Sequence, residues 1–260
     1  KAYKNALHIW PRGDFMIIAL PNLDGSFTVT LFLSYESGEY NFNNLTTPEI
    51  VTEFFQKEFP DALNLMPNLT DEFFENPTAP LGTVKCFPWQ YKGHSLLLGD
   101  SAHAIVPFYG QGMNASFEDV VEFDRFLDLH NGDWKTTLKA FEAHRKVDTD
   151  AIADLAIDNF HEMKDHIANP LFQEKRKIEM ALESEFPYEY YSKYSLVTFK
   201  ETIGYHEAMT IGRAQDKAIL SLLSARKIDA SENLNELLKK VQKETSEILR
   251  EDTIAKTLDY

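Results

Sequence analysis

The sequence predicts a mixed fold of the α/β class, of the α+β kind, with an antiparallel sheet in its first third and helices after it. Short runs rich in β-branched and aromatic residues, separated by turn-forming residues, fill the opening. From Gly112 onward apolar residues recur at helical spacing instead. Between the two lies Ser95-Leu96-Leu97-Leu98, a continuous apolar run ended by a Gly-Asp pair, which reads as a buried strand.

The first strands are Leu7 to Trp10, Phe15 to Leu20 and Phe27 to Phe32, separated by Pro11-Arg12-Gly13 and Asn22-Leu23-Asp24-Gly25. In the second strand Met16, Ile18 and Leu20 share one side and Ile17 and Ala19 the other, so both faces are apolar and both are expected to be covered. Thr47-Pro48-Glu49 supplies an N-cap and a first-turn proline for a helix running to about Phe59, where Pro60 stops it, and Thr70-Asp71 opens another. Val84 to Phe87 is a further strand candidate. Phe117, Val120, Val121, Phe123, Phe126 and Leu127 then define one helix, and Leu138 through Phe160 a longer one. Asn169-Pro170 and Phe186-Pro187 punctuate the helical remainder. The last segment, Ser231 to about Leu249, puts Leu234, Leu237, Leu238, Val241 and Ile248 on one face, expected to dock on the chain's own core rather than on a membrane. These elements divide into 1–90, 91–147, 148–225 and 226–260.

Composition narrows the function classes. A chain of 260 residues that is 43% hydrophobic can bury a substantial core. Its net charge of −15 disfavours phosphate backbones and anionic lipid surfaces. The single cysteine, Cys86, forms no internal disulfide. No uninterrupted apolar run reaches the roughly 18 residues of a membrane span. The start at Lys1 rather than Met, directly before strand-like sequence, predicts that part of a longer polypeptide is missing. His161 and His166 do not share a helix face and have no further ligands at useful spacing, so no metal is expected.

The densest stretch runs from Leu96 to Ala115. A strand delivers Asp100 at its end, a loop with Pro107 follows, and two glycines open a helix whose first amides lack intrahelical acceptors. Such a segment suits an extended polar ligand with negative charge. Gly110-Gln111-Gly112-Met113-Asn114-Ala115 matches the nominal G-x-G-x-x-A dinucleotide fingerprint, but no strand precedes it directly and the next element is another helix. Gly99-Asp100-Ser101-Ala102-His103 is one glycine short of a nucleophile elbow, leaving a serine hydrolase centred on Ser101 as a rival. Asp100, Ser101 and His103 are too crowded along the chain for a relay, and His103 is expected to bond loop backbone. A scaffold without cofactor is a third possibility.

Gly99-Asp100 followed by Pro107-Phe108-Tyr109-Gly110-Gln111-Gly112 resembles the second flavin fingerprint of the FAD-dependent aromatic hydroxylases. A narrower resemblance, to the members that hydroxylate L-kynurenine, extends from about Ala6 to Met209. It is carried by His8 to Arg12, Phe15 to Asn22, Ala104 to Asn114 and Tyr194 to Phe199. The resemblance implies the aromatic-hydroxylase flavoprotein fold: an antiparallel substrate-domain sheet, the returning half of the FAD domain, and a helical region. The family's N-terminal Rossmann part, with its glycine fingerprint, has no counterpart in this sequence, so the resemblance implies that this is the C-terminal portion of such an enzyme, that a companion segment completes the FAD site, and that this chain alone does not retain FAD tightly.

The same resemblance implies site residues. Asp100 would bind the ribityl chain, and Pro107, Gly110, Gln111, Gly112, Met113 and Asn114 would border the flavin. Leu7, Met16, Ile18, Leu20 and Phe32 would wall the substrate site, Pro107, Phe108 and Tyr109 would edge it, and Asn159, Met163 and Tyr194 would meet the amino-acid end of L-kynurenine. Where the family often has Phe or His, this sequence has Tyr109. Read without the resemblance, the apolar residues are sheet core, Asp100 is a strand-end turn former, Asn159 a helix-surface residue and Tyr194 a half-buried tyrosine. The implied chemistry is ring hydroxylation beside the amino group through a flavin hydroperoxide, with NADPH and O2 as co-substrates and no acid or base from this chain. It implies a place in tryptophan degradation and NAD biosynthesis and, in eukaryotic members, attachment to the cytosolic face of the mitochondrial outer membrane.

Overall fold

The computed structural model describes residues 3–165 and 169–258; His166 lies outside the described residues. The chain divides into two compact units, one holding the residues up to Pro80 with a short stretch from Glu162, the other holding Leu81–His161 and the chain from Asn169.

In the first unit β1 (His8–Pro11), β2 (Met16–Pro21) and β3 (Phe27–Phe32) form the expected antiparallel meander. Ile9 stands opposite Ile18, and Ile17 opposite Leu31. Helix α1 (Pro48–Glu58) starts where Thr47 Oγ1 accepts the Ile50 amide at 3.4 Å and Pro48 occupies the first turn. Pro60 ends it and opens α2 (Pro60–Leu63); α3 (Leu69–Glu75) begins after Asn68, just before the expected Thr70-Asp71. Ile17 packs with Val51, Phe54, Phe55 and Phe59 in one apolar core. Burying each such side chain contributes about 1.5–3 kcal/mol. Arg12 Nε donates to the Glu58 carbonyl at 2.7 Å, tying the turn after β1 to the end of α1. The opposite sheet face departs from expectation. Met16 is buried, Ile18 half-buried, and Leu20 51% exposed, so that face is covered only toward the Met16 end.

In the second unit the expected strands shrink. Val84 to Phe87 belongs to no strand, although the Val84 and Cys86 amides donate to the Ala104 and Ala102 carbonyls at 2.7 and 3.3 Å. The Ser95–Leu98 run contributes only β5 (Ser95–Leu96), paired with β4 (Gln90–Tyr91). No further strand flanks it among the described residues, so Leu97 is exposed rather than central. A short helix, α4 (Asp100–His103), follows.

Helix α5 (Gly112–Leu129) begins at the expected glycine, and α6 (Trp134–Asp165) is the longer helix foreseen after it. Phe123 and Phe126 of α5 meet Phe141 of α6 edge-on at 5.5 and 6.4 Å between ring centres. Phe117, Val120 and Val121 share the periodicity yet are exposed, together with Met113, because α5 is apolar on two sides and only one is packed.

Helices α7 (Pro170–Glu185), α8 (Lys193–Phe199), α9 (Tyr205–Ser224) and α10 (Leu234–Leu258) complete the unit. Asn169 caps α7 by accepting the Leu171 amide at 3.0 Å. Leu237, Leu238 and Val241 of α10 are buried against Ile178 and Leu182 of α7 and Ile219 and Leu222 of α9, as the amphipathic reading of the tail expected. At Gly212 a side chain would stand 2.5 Å from Lys193 Cγ, so this glycine lets α8 lie close on α9.

Candidate functional site

The segment from Gly99 to Asn114 folds as two chain turns meeting at the head of α5. Gly99 takes φ +58°, and a Cβ there would stand 3.1 Å from Ser116 Oγ, so only glycine lets the chain pass this close to the first turns of α5. Asp100 follows directly. Its side chain is exposed and makes no hydrogen bond among the described residues. At the other turn no side chain caps α5, and the amides of Gly112, Met113 and Asn114 have no acceptor among the described residues. Gln111 is buried, its Oε1 accepting from Asn114 Nδ2 at 2.8 Å, while Met113 is exposed. The head of α5 thus keeps amides without acceptors at the positive end of its dipole, and Asp100, at the other turn of the same segment, keeps a carboxylate without a hydrogen-bond partner among the described residues.

The loop between the turns is held from behind. Pro107 and Gly110 are exposed. Asn159 Nδ2 of α6 donates to the Phe108 carbonyl at 2.7 Å. Phe160 lies against Phe108 with ring centres 4.5 Å apart, and Tyr194 of α8 stacks on Tyr109 at 5.6 Å and 17°. Tyr109 itself is buried among Ala115, Ile152, Leu155 and Ala156. Asn159 is thus no plain surface residue, since its amide is engaged with the loop, and Tyr194, 44% exposed, keeps one face on Tyr109. Met163 stands one turn beyond Asn159 and is half-buried. In the sheet unit, Phe32 is paired with Met16 across β2 and β3, so Met16, Ile18, Leu20 and Phe32 share a face, and Leu7 is 50% exposed just before β1.

His103 corrects the expectation that it bonds loop backbone. Its Nε2 lies 2.6 Å from Asp119 Oδ2, and both side chains are buried. The same Asp119 oxygen accepts the Gly99 amide at 3.0 Å, and Oδ1 accepts Arg145 Nε at 2.9 Å. Burial works against ionisation of Asp119, but the His103 ring, the Gly99 amide and Arg145 outweigh it and hold its carboxyl below the ordinary range. Asp119 and Arg145 went unnoticed in the sequence. The available signal was an acid on the packed side of α5, three residues before Glu122 and a helical turn or two from Phe123 and Phe126, where only a partnered charge is stable.

The rival centre at Ser101 gains nothing from this geometry: His103 is engaged by Asp119, and no hydrogen bond joins it to Ser101 among the described residues. His161 is exposed. No helix among the described residues is long and apolar enough to cross a membrane.

Comparison with known proteins agrees with the reading of this segment. Residues 41–152 match the FAD binding domain family. A kynurenine 3-monooxygenase of Dictyostelium discoideum is 49% identical over 232 residues, 85% of this chain and 50% of that protein. The chain is similar to the kynurenine 3-monooxygenases over most of its own length. Those of Flavobacterium johnsoniae and Myxococcus xanthus are 44% and 48% identical, over 94% and 84% of this chain and 55% and 47% of their own lengths. The chain spans about half the length of the curated kynurenine 3-monooxygenases it matches.

The donor set fits FAD. A free carboxylate can accept from ribityl hydroxyls, and unpartnered amides at a helix head can donate to the oxygen-rich edge of the flavin ring.

Proposed function

We propose that the complete polypeptide carrying this chain is an FAD-dependent monooxygenase that converts L-kynurenine to 3-hydroxykynurenine, consuming NADPH and O2. The observation that supports this reading is that one segment of the matched FAD binding region holds both an Asp100 carboxylate and Gly112, Met113 and Asn114 amides that have no hydrogen-bond partner among the described residues.

When bound, the flavin supplies the oxygen chemistry. The chain binds and orients. Asp100 holds the ribityl hydroxyls, and the α5 amides, at the positive end of the helix dipole, favour negative charge on the ring edge next to them. Pro107, Gly110 and Gln111 border the flavin. Phe108 and Tyr109, braced by Phe160, Asn159 and Tyr194, give the substrate a rigid loop to lie against. Leu7, Met16, Ile18, Leu20 and Phe32 supply the apolar wall that keeps water from the reacting ring, and Met163 and Tyr194 meet the amino-acid end. The half of the relatives' length that this chain does not match supplies the rest of the FAD site, and it is the candidate cover for Met113, Phe117 and Val121.

Several relatives are bacterial, and a bacterium has no mitochondrial outer membrane, so the membrane expectation attaches to the source of the chain and not to its fold. The test is to purify the complete polypeptide, record its flavin absorbance, and ask whether L-kynurenine stimulates NADPH oxidation. Yellow protein with stimulated oxidation is the expected result. Colourless protein, or labelling of Ser101 by a fluorophosphonate, would overturn it.

A further inference from the structure

Asp119 is fully buried, carries a charge, and plays no part in the chemistry described above. Its placement is nonetheless specific. It sits two turns into the helix whose head offers the free amides, and it accepts the backbone N–H of Gly99, the residue immediately before Asp100. His103, at the far end of α4, closes on the same oxygen at 2.6 Å. One carboxylate oxygen therefore holds both ends of the four-residue element that begins with Asp100. The other oxygen is clamped by Arg145, whose Nη2 also donates to the Ala115 carbonyl at 3.2 Å, fixing the clamp to α5 itself.

We infer that Asp119 is a positioning residue for the cofactor site: through Gly99 and His103 it sets where the Asp100 carboxylate stands relative to the amides at the head of α5. This rests on the FAD reading of those two groups. The physical reason is economy of geometry. Gly99 occupies a backbone region open only to glycine, and such a turn is fixed by its partners rather than by its own preference. Removing the acceptor of its amide frees the turn, and with it the carboxylate of Asp100. Two hydrogen-bonding edges that must grip one rigid ligand lose affinity when the distance between them is no longer set.

The experiment uses the complete polypeptide. Asp119→Asn preserves shape and keeps a single acceptor oxygen, which the Arg145 cation draws, so the Nδ2 donor is left facing the Gly99 amide; Arg145 also retains Glu118 at 3.2 Å and the Ala115 carbonyl. FAD affinity is measured by equilibrium dialysis well below the melting temperature for wild type, D119N, D100N and the double variant. Leu237→Ala, in the core shared by α7, α9 and α10, serves as a control for general stability loss. D119N is expected to weaken FAD binding tenfold or more. The double variant should be no weaker than the worse single variant, because Asp119 acts through Asp100. L237A should leave affinity within twofold of wild type. Without cofactor, hydrogen exchange at the Gly99 amide should speed at least tenfold in D119N and stay unchanged in L237A. Should D119N fail to fold, His103→Gln, which leaves the Asp119–Gly99 bond in place, should weaken FAD binding by a smaller factor than D100N does. Unchanged affinity in D119N or H103Q, multiplying effects in the double variant, or an equal loss in L237A overturns the inference. A wild-type polypeptide that binds no FAD brings down the functional reading and this inference with it, whereas a yellow wild type with unaltered D119N brings down this inference alone.

Discussion

Gly99 concentrates the argument at the scale of single residues. Its φ of +58° and the 3.1 Å approach to Ser116 Oγ predict that Gly99→Ala costs about 1–3 kcal/mol, read as a lower melting temperature. A melt unchanged from wild type would show that the turn tolerates a side chain. Asn159 and Tyr194 predict a different signature. Asn159→Ala removes the donor to the Phe108 carbonyl and Tyr194→Ala the ring stacked on Tyr109, so each should raise the Michaelis constant for kynurenine several-fold with a smaller change in FAD affinity. Unaltered steady-state constants for both would remove them from the site. Asp100, the loop from Pro107 to Tyr109 and the glycine-led amides were legible in the sequence because each belongs to one contiguous stretch with its own turn chemistry. Asp119, His103 and Arg145 were not, because their meaning is a three-way contact among residues far apart in the chain, and no local pattern encodes which acid a histidine will find.

Among the elements, those with strong local signals stand where the sequence put them. Thr47-Pro48 starts α1, Asn169-Pro170 starts α7, Gly112 starts α5, and the three-stranded meander has its expected turns. The strand at Ser95 to Leu98 does not, because a continuous apolar run becomes a central strand only with neighbours on both sides, and pairing partners are not written in the run itself. The bundle of α7, α8 and α9 holds a feature hidden from periodicity, a buried charge cluster. Lys175 reaches Glu179 at 3.1 Å and Asp216 at 2.7 Å, and Lys193 reaches Asp216 at 2.7 Å. Burial, reinforced by the charge of Asp216 and only partly offset by Lys175, pushes Glu179 up to about 7. A carboxyl whose folded value lies above its ordinary 4.5 is favoured in its protonated form by folding. Stability from this group is therefore complete below about 4.5, declines as pH rises toward 7, and is level above that. Glu179→Gln should abolish the decline, gaining up to about 3 kcal/mol on wild type across the window. Parallel pH–stability curves for the two proteins would show that Glu179 ionises normally.

For the molecule as a whole, charge and packing point the same way. The chain carries −15, and the apolar face of α10 is already buried against α7 and α9. It should not co-sediment with phosphatidylserine vesicles at physiological salt; binding there would mean that α10 leaves its place on the bundle. The general fold class and the helical second half follow from composition and period, whereas the division into two units near Pro80, with a return from Glu162, depends on contacts that no periodicity carries. The most direct test of the central claim is the dissociation constant of FAD from the complete polypeptide, compared between wild type and Asp100→Ala. A carboxylate that accepts ribityl hydroxyls is worth about 1.5–3 kcal/mol, so the variant should bind FAD at least tenfold more weakly. Equal affinity in the two proteins would contradict the account.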